Sequence, residues 1–95
     1  MSNAAEFALS QTVENLYADH HGWLVGWLRR RLGDRADAAD LAQDTFLRLL
    51  VKPAARRLDN LAETRAYLRT VADHLCIDLW RRRQVEQAWA DTLAT

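Results

Sequence analysis

The stretch "DAADLAQDTFLRLL", Asp37 to Leu50, decides the fold. Stepping at about 100° per residue, Leu41, Ala42, Thr45, Phe46, Leu49 and Leu50 share one side with Ala38 and Ala39. Asp37, Asp40, Gln43, Asp44, Leu47 and Val51 fall opposite. The stretch is an amphipathic helix with a core side, and Asp34 is placed to cap it, which predicts a helix over 35–51. Working outward, Val13, Leu16, Tyr17, His20, Trp23, Leu24, Trp27 and Leu28 repeat at helical spacing, predicting a helix over about 10–32 that Gly33 closes in the left-handed conformation. On the other side, Asn60-Leu-Ala-Glu63 resembles a capping box opening a third helix over about 61–88, with Leu68, Val71, Ala72, Leu75 and Leu79 on its core stripe. Pro53, Asp59 and Asn60 make residues 52–60 a loop rich in Arg. No alternating strand pattern occurs. The reading is all-α, a compact three-helix bundle.

Ninety-five residues allow one domain, and 49% apolar residues supply a modest core. The lone Cys76 can form no internal disulfide, which points to a reducing compartment and makes the cytoplasm the default location. No apolar run approaches the roughly 18 residues of a membrane span. The start, "MSNAAEF", lacks the pattern of a signal peptide. Residues 1–9 are expected to be a flexible N-terminus, with "SNA" a candidate cloning remnant.

Thirteen bases balance thirteen acids, which argues against indiscriminate nucleic-acid binding. The charges are nevertheless segregated. Residues 34–47 hold four acids and one base, whereas residues 52–83 hold eight bases and four acids. Twelve of the thirteen bases are Arg, the side chain suited to phosphate forks and to stacking.

Each block has a bland and a functional reading. A solvated acidic face explains Asp34 and Asp37, which favour the positive end of the helix dipole. It does not explain Asp40 and Asp44, a like-charge pair one turn apart that costs roughly 0.2–0.5 kcal/mol, nor Leu47 and Val51 beside them. Docking on a basic protein surface would explain all four; the pattern leaves both readings open. Outside the core stripe of the third helix lie Arg69, Thr70, Asp73, His74, Ile77, Trp80 and Arg81, with Arg56 and Arg57 in the preceding loop. Guanidinium groups around an off-core Trp suit single-stranded nucleic acid. The alternative is a solvated helix end, supported by the acid Asp73 in the middle of that face. His20 reads as a buried, hydrogen-bonded histidine, Trp23 and Trp27 as core, and Asp78 and Arg82 as a structural pair. Adjacent His20 and His21 point apart and share no metal. With no nucleophile–base arrangement, Gly-rich phosphate loop or ligand cluster, no catalytic residue, metal or cofactor is expected, and the chain reads as a non-enzyme.

Acidic helix, basic loop and then "YLRTVADHLCIDLWRRR", residues 67–83, together resemble region 2 of bacterial sigma factors of the extracytoplasmic function (ECF) group. "DAADLAQDTFLRLL" is similar to region 2.2 of that group and residues 67–83 to regions 2.3 and 2.4. "LYADHHGWLVGWLRRRLG", residues 16–33, resembles the iron-starvation branch typified by the ferric-citrate sigma factor. The resemblance spans residues 10–90.

It implies a three-helix domain of the sigma region 2 type that serves transcription initiation. Asp37, Asp40, Gln43, Asp44 and Leu47 would contact the beta-prime clamp helices of core RNA polymerase. Arg56, Arg57, Arg65, Arg69, His74, Trp80 and Arg81 would grip the melted non-template strand of the promoter minus-ten element. It further implies a membrane-bound anti-sigma regulator and iron-uptake target genes. Residues 91–95 would begin a linker to a region 4 that the chain does not contain. Two positions depart from the family: Asp73-His74 stands where a basic and then a small or polar residue are usual, and Thr64 where the iron branch often has Pro. A helical oligomerisation module whose charged faces pair with each other is the alternative from another class.

Overall fold

A computed structural model of the chain describes residues 2–51 and 60–94. Three helices follow one another, α1 (Ser2–Leu32), α2 (Arg35–Val51) and α3 (Leu61–Ala94), and the described residues contain no strand. The basic loop, including Arg56 and Arg57, lies outside the described residues.

The end of α1 and the starts of α2 and α3 form where the sequence places them, for identifiable reasons. Gly33 adopts φ 70° and its N–H donates to the Arg29 carbonyl at 2.9 Å, an αL cap that an L side chain would strain. Asp34 caps α2 by accepting the Asp37 N–H at 2.8 Å. Asn60 does the same for α3, accepting from the Glu63 N–H at 2.7 Å, while the Thr64 hydroxyl donates to the Asn60 carbonyl at 2.9 Å.

Two helices run further than their periodicity predicts. α1 extends back to Ser2, ahead of the start at about residue 10 that the periodicity predicts. α3 continues through residues 91–94, where a linker was expected. Neither segment holds Pro or Gly, and residues 2–9 hold three Ala besides Glu and Leu, all good helix formers. The Gln87 amide also donates to the Asp91 carboxylate one turn on, at 2.9 Å. The molecule is therefore elongated, 62 × 27 × 19 Å, with its core drawn from the C-terminal part of α1, most of α2 and the N-terminal half of α3.

That core comprises Leu24 and Leu28 from α1, Ala38, Leu41, Ala42, Phe46 and Leu49 from α2, and Leu68, Ala72, Leu75 and Cys76 from α3. Burying each of its large aliphatic side chains favours folding by about 1.5–3 kcal/mol. Among the polar groups, Thr45 is fully buried and returns its hydroxyl to the Leu41 carbonyl at 2.7 Å. Three expectations need correction. Leu50 is 44% exposed and Ala39 is exposed, because the α2 core side is narrower than the side drawn at 100°. Trp23 and Trp27 lie half-buried at the margin of the core, and Tyr17 is 46% exposed. Asp78 and Arg82 do not pair with each other; α3 instead ties itself to α2 through the next residue, Arg83.

Candidate functional site

The outward face of α2 is set by its core stripe: with Leu41, Phe46 and Leu49 turned inward, Asp40, Gln43, Asp44 and Leu47 must face solvent. All four are exposed, Leu47 to 51%, and Val51 beyond them to 79%. Neither Asp40 nor Asp44 has an ion-pair partner among the described residues. Asp37 differs. The two Arg83 terminal nitrogens reach its two carboxylate oxygens at 2.8 Å each, a bidentate fork from α3. The hydrogen bonding from Arg83 holds the Asp37 carboxyl below the usual carboxylate range. Expected as a surface contact, Asp37 is occupied by an internal bridge at the rim of the face.

Two depressions flank that outward face. A groove of about 360 Å³ runs between α2 and α3, with Asp37, Asp40 and Asp44 on one wall and Arg82, Arg83 and Glu86 on the other. A second, of similar volume (about 360 Å³) but apolar, lies between α1 and α2 along Tyr17, Phe46, Leu47 and Leu50. Here Tyr17 stacks on His21 with centroids 4.3 Å apart and tilts against Phe46 at 5.2 Å.

The expected nucleic-acid residues divide into three groups. Arg69, His74, Trp80 and Arg81 are exposed on α3, Trp80 to 40%. Arg65 is half-buried and engaged internally: its Nε donates to His20 Nδ1 at 3.4 Å and its guanidinium lies 4.9 Å from the Trp23 ring. This places His20 as expected, buried and hydrogen-bonded, with burial and then the Arg65 charge lowering its pKa below the usual histidine value. Arg65 therefore serves the α1–α3 junction. Arg56 and Arg57 form the third group, outside the described residues.

One residue on this side has no place in the expected set. Arg31, in the last turn of α1, pairs with Asp73 of α3, and its guanidinium lies 5.1 Å from the Trp27 ring and 5.6 Å from the Trp80 ring. The acid that seemed to spoil the α3 face is thus neutralised from α1. The available signal was position: Arg31 follows Trp27 at i,i+4, on the margin of the same stripe. Nearby Cys76 is fully buried, and burial pushes its thiol up in pKa, leaving it unreactive. Among the described residues no cluster of three His, Cys, Asp or Glu side chains is arranged to hold a metal, and no helix is long and apolar enough to cross a membrane.

Residues 16–86 match the Sigma-70 region 2 family. The ferric citrate uptake sigma factor FecI of Escherichia coli K12 is 44% identical over 94 residues, covering 99% of this chain and 53% of that protein. The RNA polymerase sigma factor YlaC of Bacillus subtilis 168 is 34% identical over 80 residues, covering 84% of this chain and 44% of that protein. The chain thus spans about half the length of the curated relatives it matches, and no solved structure matches it. With the three-helix architecture, these matches make the chain a member of the Sigma-70 region 2 family, in its extracytoplasmic-function group and of the ferric-citrate type, a family of transcription initiation factors rather than enzymes.

Proposed function

We propose that this domain is the polymerase-docking and promoter-opening part of an ECF sigma factor acting in the cytoplasm on iron-uptake genes, under a membrane-bound anti-sigma regulator. Its α2 face binds the basic beta-prime clamp helices of core RNA polymerase. Its α3 face holds the unpaired non-template strand of the minus-ten element. One observation carries the reading: among the described residues Asp40 and Asp44 stay exposed and unbridged around Leu47, although Asp37 and Asp73 are paired with arginines. An apolar side chain ringed by free carboxylates suits a basic partner helix, since the partner's charges steer approach and its apolar surface covers Leu47. On the other face, Arg69 and Arg81 supply phosphate contacts and Trp80 a ring for a base. Extruding a base costs a few kcal/mol, which such contacts offset.

Titration of the isolated clamp-helix segment with this chain tests the docking half. The Asp40→Ala/Asp44→Ala double variant should lose about 2 kcal/mol or more, roughly 30-fold in affinity. Equal binding by a folded double variant removes the α2 face from the function. A second reading has its own observation. Val85, Trp89 and Leu93 are exposed to 58%, 64% and 79% at four-residue intervals where α3 extends past the core. Such a stripe favours self-association through helix pairing. Light scattering decides: a monomer across micromolar concentrations and salt leaves only the sigma reading.

A further inference from the structure

We propose that Arg31 of α1 is a DNA-contact residue, its guanidinium aimed by Asp73 and by the Trp27 and Trp80 rings at a backbone phosphate of the unpaired strand. The inference rests on the DNA half of the function above and adds a residue from a different helix. Arg31 opens onto a groove of about 420 Å³ between α1 and α3, lined by Trp27, Arg31, Arg69, Thr70 and Asp73. The Arg31 side chain is 38% exposed, so the guanidinium is not sealed inside a helix junction. Asp73 engages one of its terminal nitrogens through a single carboxylate oxygen, and a guanidinium carries five N–H donors in a fixed plane. Donors therefore remain for a second anion.

The surroundings select that anion. Arg31 and Arg69 against Asp73 leave the groove with a net positive charge, and Thr70 adds a hydroxyl. Trp80, 40% exposed with its ring 5.6 Å from the Arg31 guanidinium, offers a surface on which the adjoining base stacks. A phosphate between two guanidinium groups, next to an aromatic ring, is the arrangement by which proteins track a single strand. Asp73 then acts as a positioning residue. It cancels one charge but fixes the direction of the Arg31 fork, reconciling an acid on this face with a nucleic-acid partner.

The test is fluorescence anisotropy of this chain with a labelled random-sequence single strand of about 12 nucleotides, across a salt series starting at low ionic strength. Arg31→Ala should weaken binding about tenfold and flatten the plot of log affinity against log salt by about 0.7, the loss of one phosphate contact. Arg31→Lys, which keeps the charge, should retain the slope. If the alanine variant loses helicity, Arg31→Gln replaces it, keeping a hydrogen bond to Asp73 without the charge. An unchanged slope with a lowered melting temperature makes Arg31 a helix clamp only and overturns the proposal. Binding that survives Arg31→Ala but falls in Arg81→Ala overturns the Arg31 contact alone. A wild-type chain that binds no single strand overturns both this contact and the DNA half of the function, leaving polymerase docking to its separate titration.

Discussion

The outer face of α2 and the α1–α3 edge treat charge in opposite ways. On α2, Asp40 and Asp44 stand one turn apart with no salt bridge to either among the described residues, although Arg82 lines the same groove. Along the α1–α3 edge the charges are organised: Arg31 with Asp73, Arg65 with His20, and both guanidiniums against tryptophan rings. A bridge between exposed side chains contributes about 0–1 kcal/mol, so pairing is a weak determinant of the fold. It is a strong indicator of which charges are left over. Unbridged carboxylates that repel each other beside an exposed leucine fit the proposed docking of a basic partner, whereas the α1–α3 network orients its groups within the domain.

The largest effect that could break this contrast separates two leucines. Leu68→Ala, at a fully buried position of α3, should cost about 2–5 kcal/mol in chemical denaturation. Leu47→Ala, 51% exposed on α2, should change stability by less than about 0.5 kcal/mol while weakening clamp-helix binding. Comparable losses of stability at both positions would mean that Leu47 is part of the core after all. The next effect is smaller. Removing the Asp73 charge with Asp73→Asn should lower stability by up to about 1 kcal/mol, because the pair it breaks is more than a third exposed on both sides.

The three helices, the aliphatic centre of the core and the exposed side of α2 were legible in the sequence because each depends on period and local capping alone. The stripe from Leu41 to Leu49 and the caps at Gly33, Asp34 and Asn60 need no knowledge of neighbouring elements. What stayed hidden is what one helix does to another. Asp37 looked like its neighbours Asp40 and Asp44 until α3 brought Arg83 against it, and Asp73 looked like a misplaced acid until α1 supplied Arg31. Arg65 looked like a surface cation, yet the packing of α1 against α3 turns it to His20 and Trp23. The family resemblance carried both partner assignments, which no period encodes.

The same junction gives a pH test. Burial, then Arg65, lower the His20 pKa in the folded chain from an ordinary 6.5. Between the folded value and 6.5 the unfolded chain therefore binds more protons, and stability rises with pH across that window. Read downward, the domain should weaken as pH falls below about 6.5, before any carboxylate titrates. His20→Gln should flatten that part of the profile in urea denaturation. Asp37 acts lower: its depressed pKa means that the Arg83 bridge stabilises above the ordinary carboxylate value and is lost as pH falls through the folded one. A profile with no decline above pH 5, about where carboxylates begin to matter, would remove His20 from the junction.

The smallest effect is the most discriminating, because it turns on sign. Asn resembles Asp in size and in helix propensity, so Asp44→Asn changes little except charge. On α2 that charge repels Asp40 and makes no salt bridge among the described residues, so neutralising it should stabilise the domain by up to about 0.2–0.5 kcal/mol, less whatever attraction Arg48 one turn on supplies. Asp73→Asn, the same chemical change on α3, should destabilise. If both substitutions destabilise, Asp44 has a stabilising partner within the chain and the α2 face is not a surplus of charge. If they differ in sign, and Asp44→Asn also weakens clamp-helix binding, stability and function pull against each other at Asp44. The domain then keeps an unfavourable carboxylate whose benefit appears only in the complex, which is the behaviour expected of a docking residue and not of a solvated one.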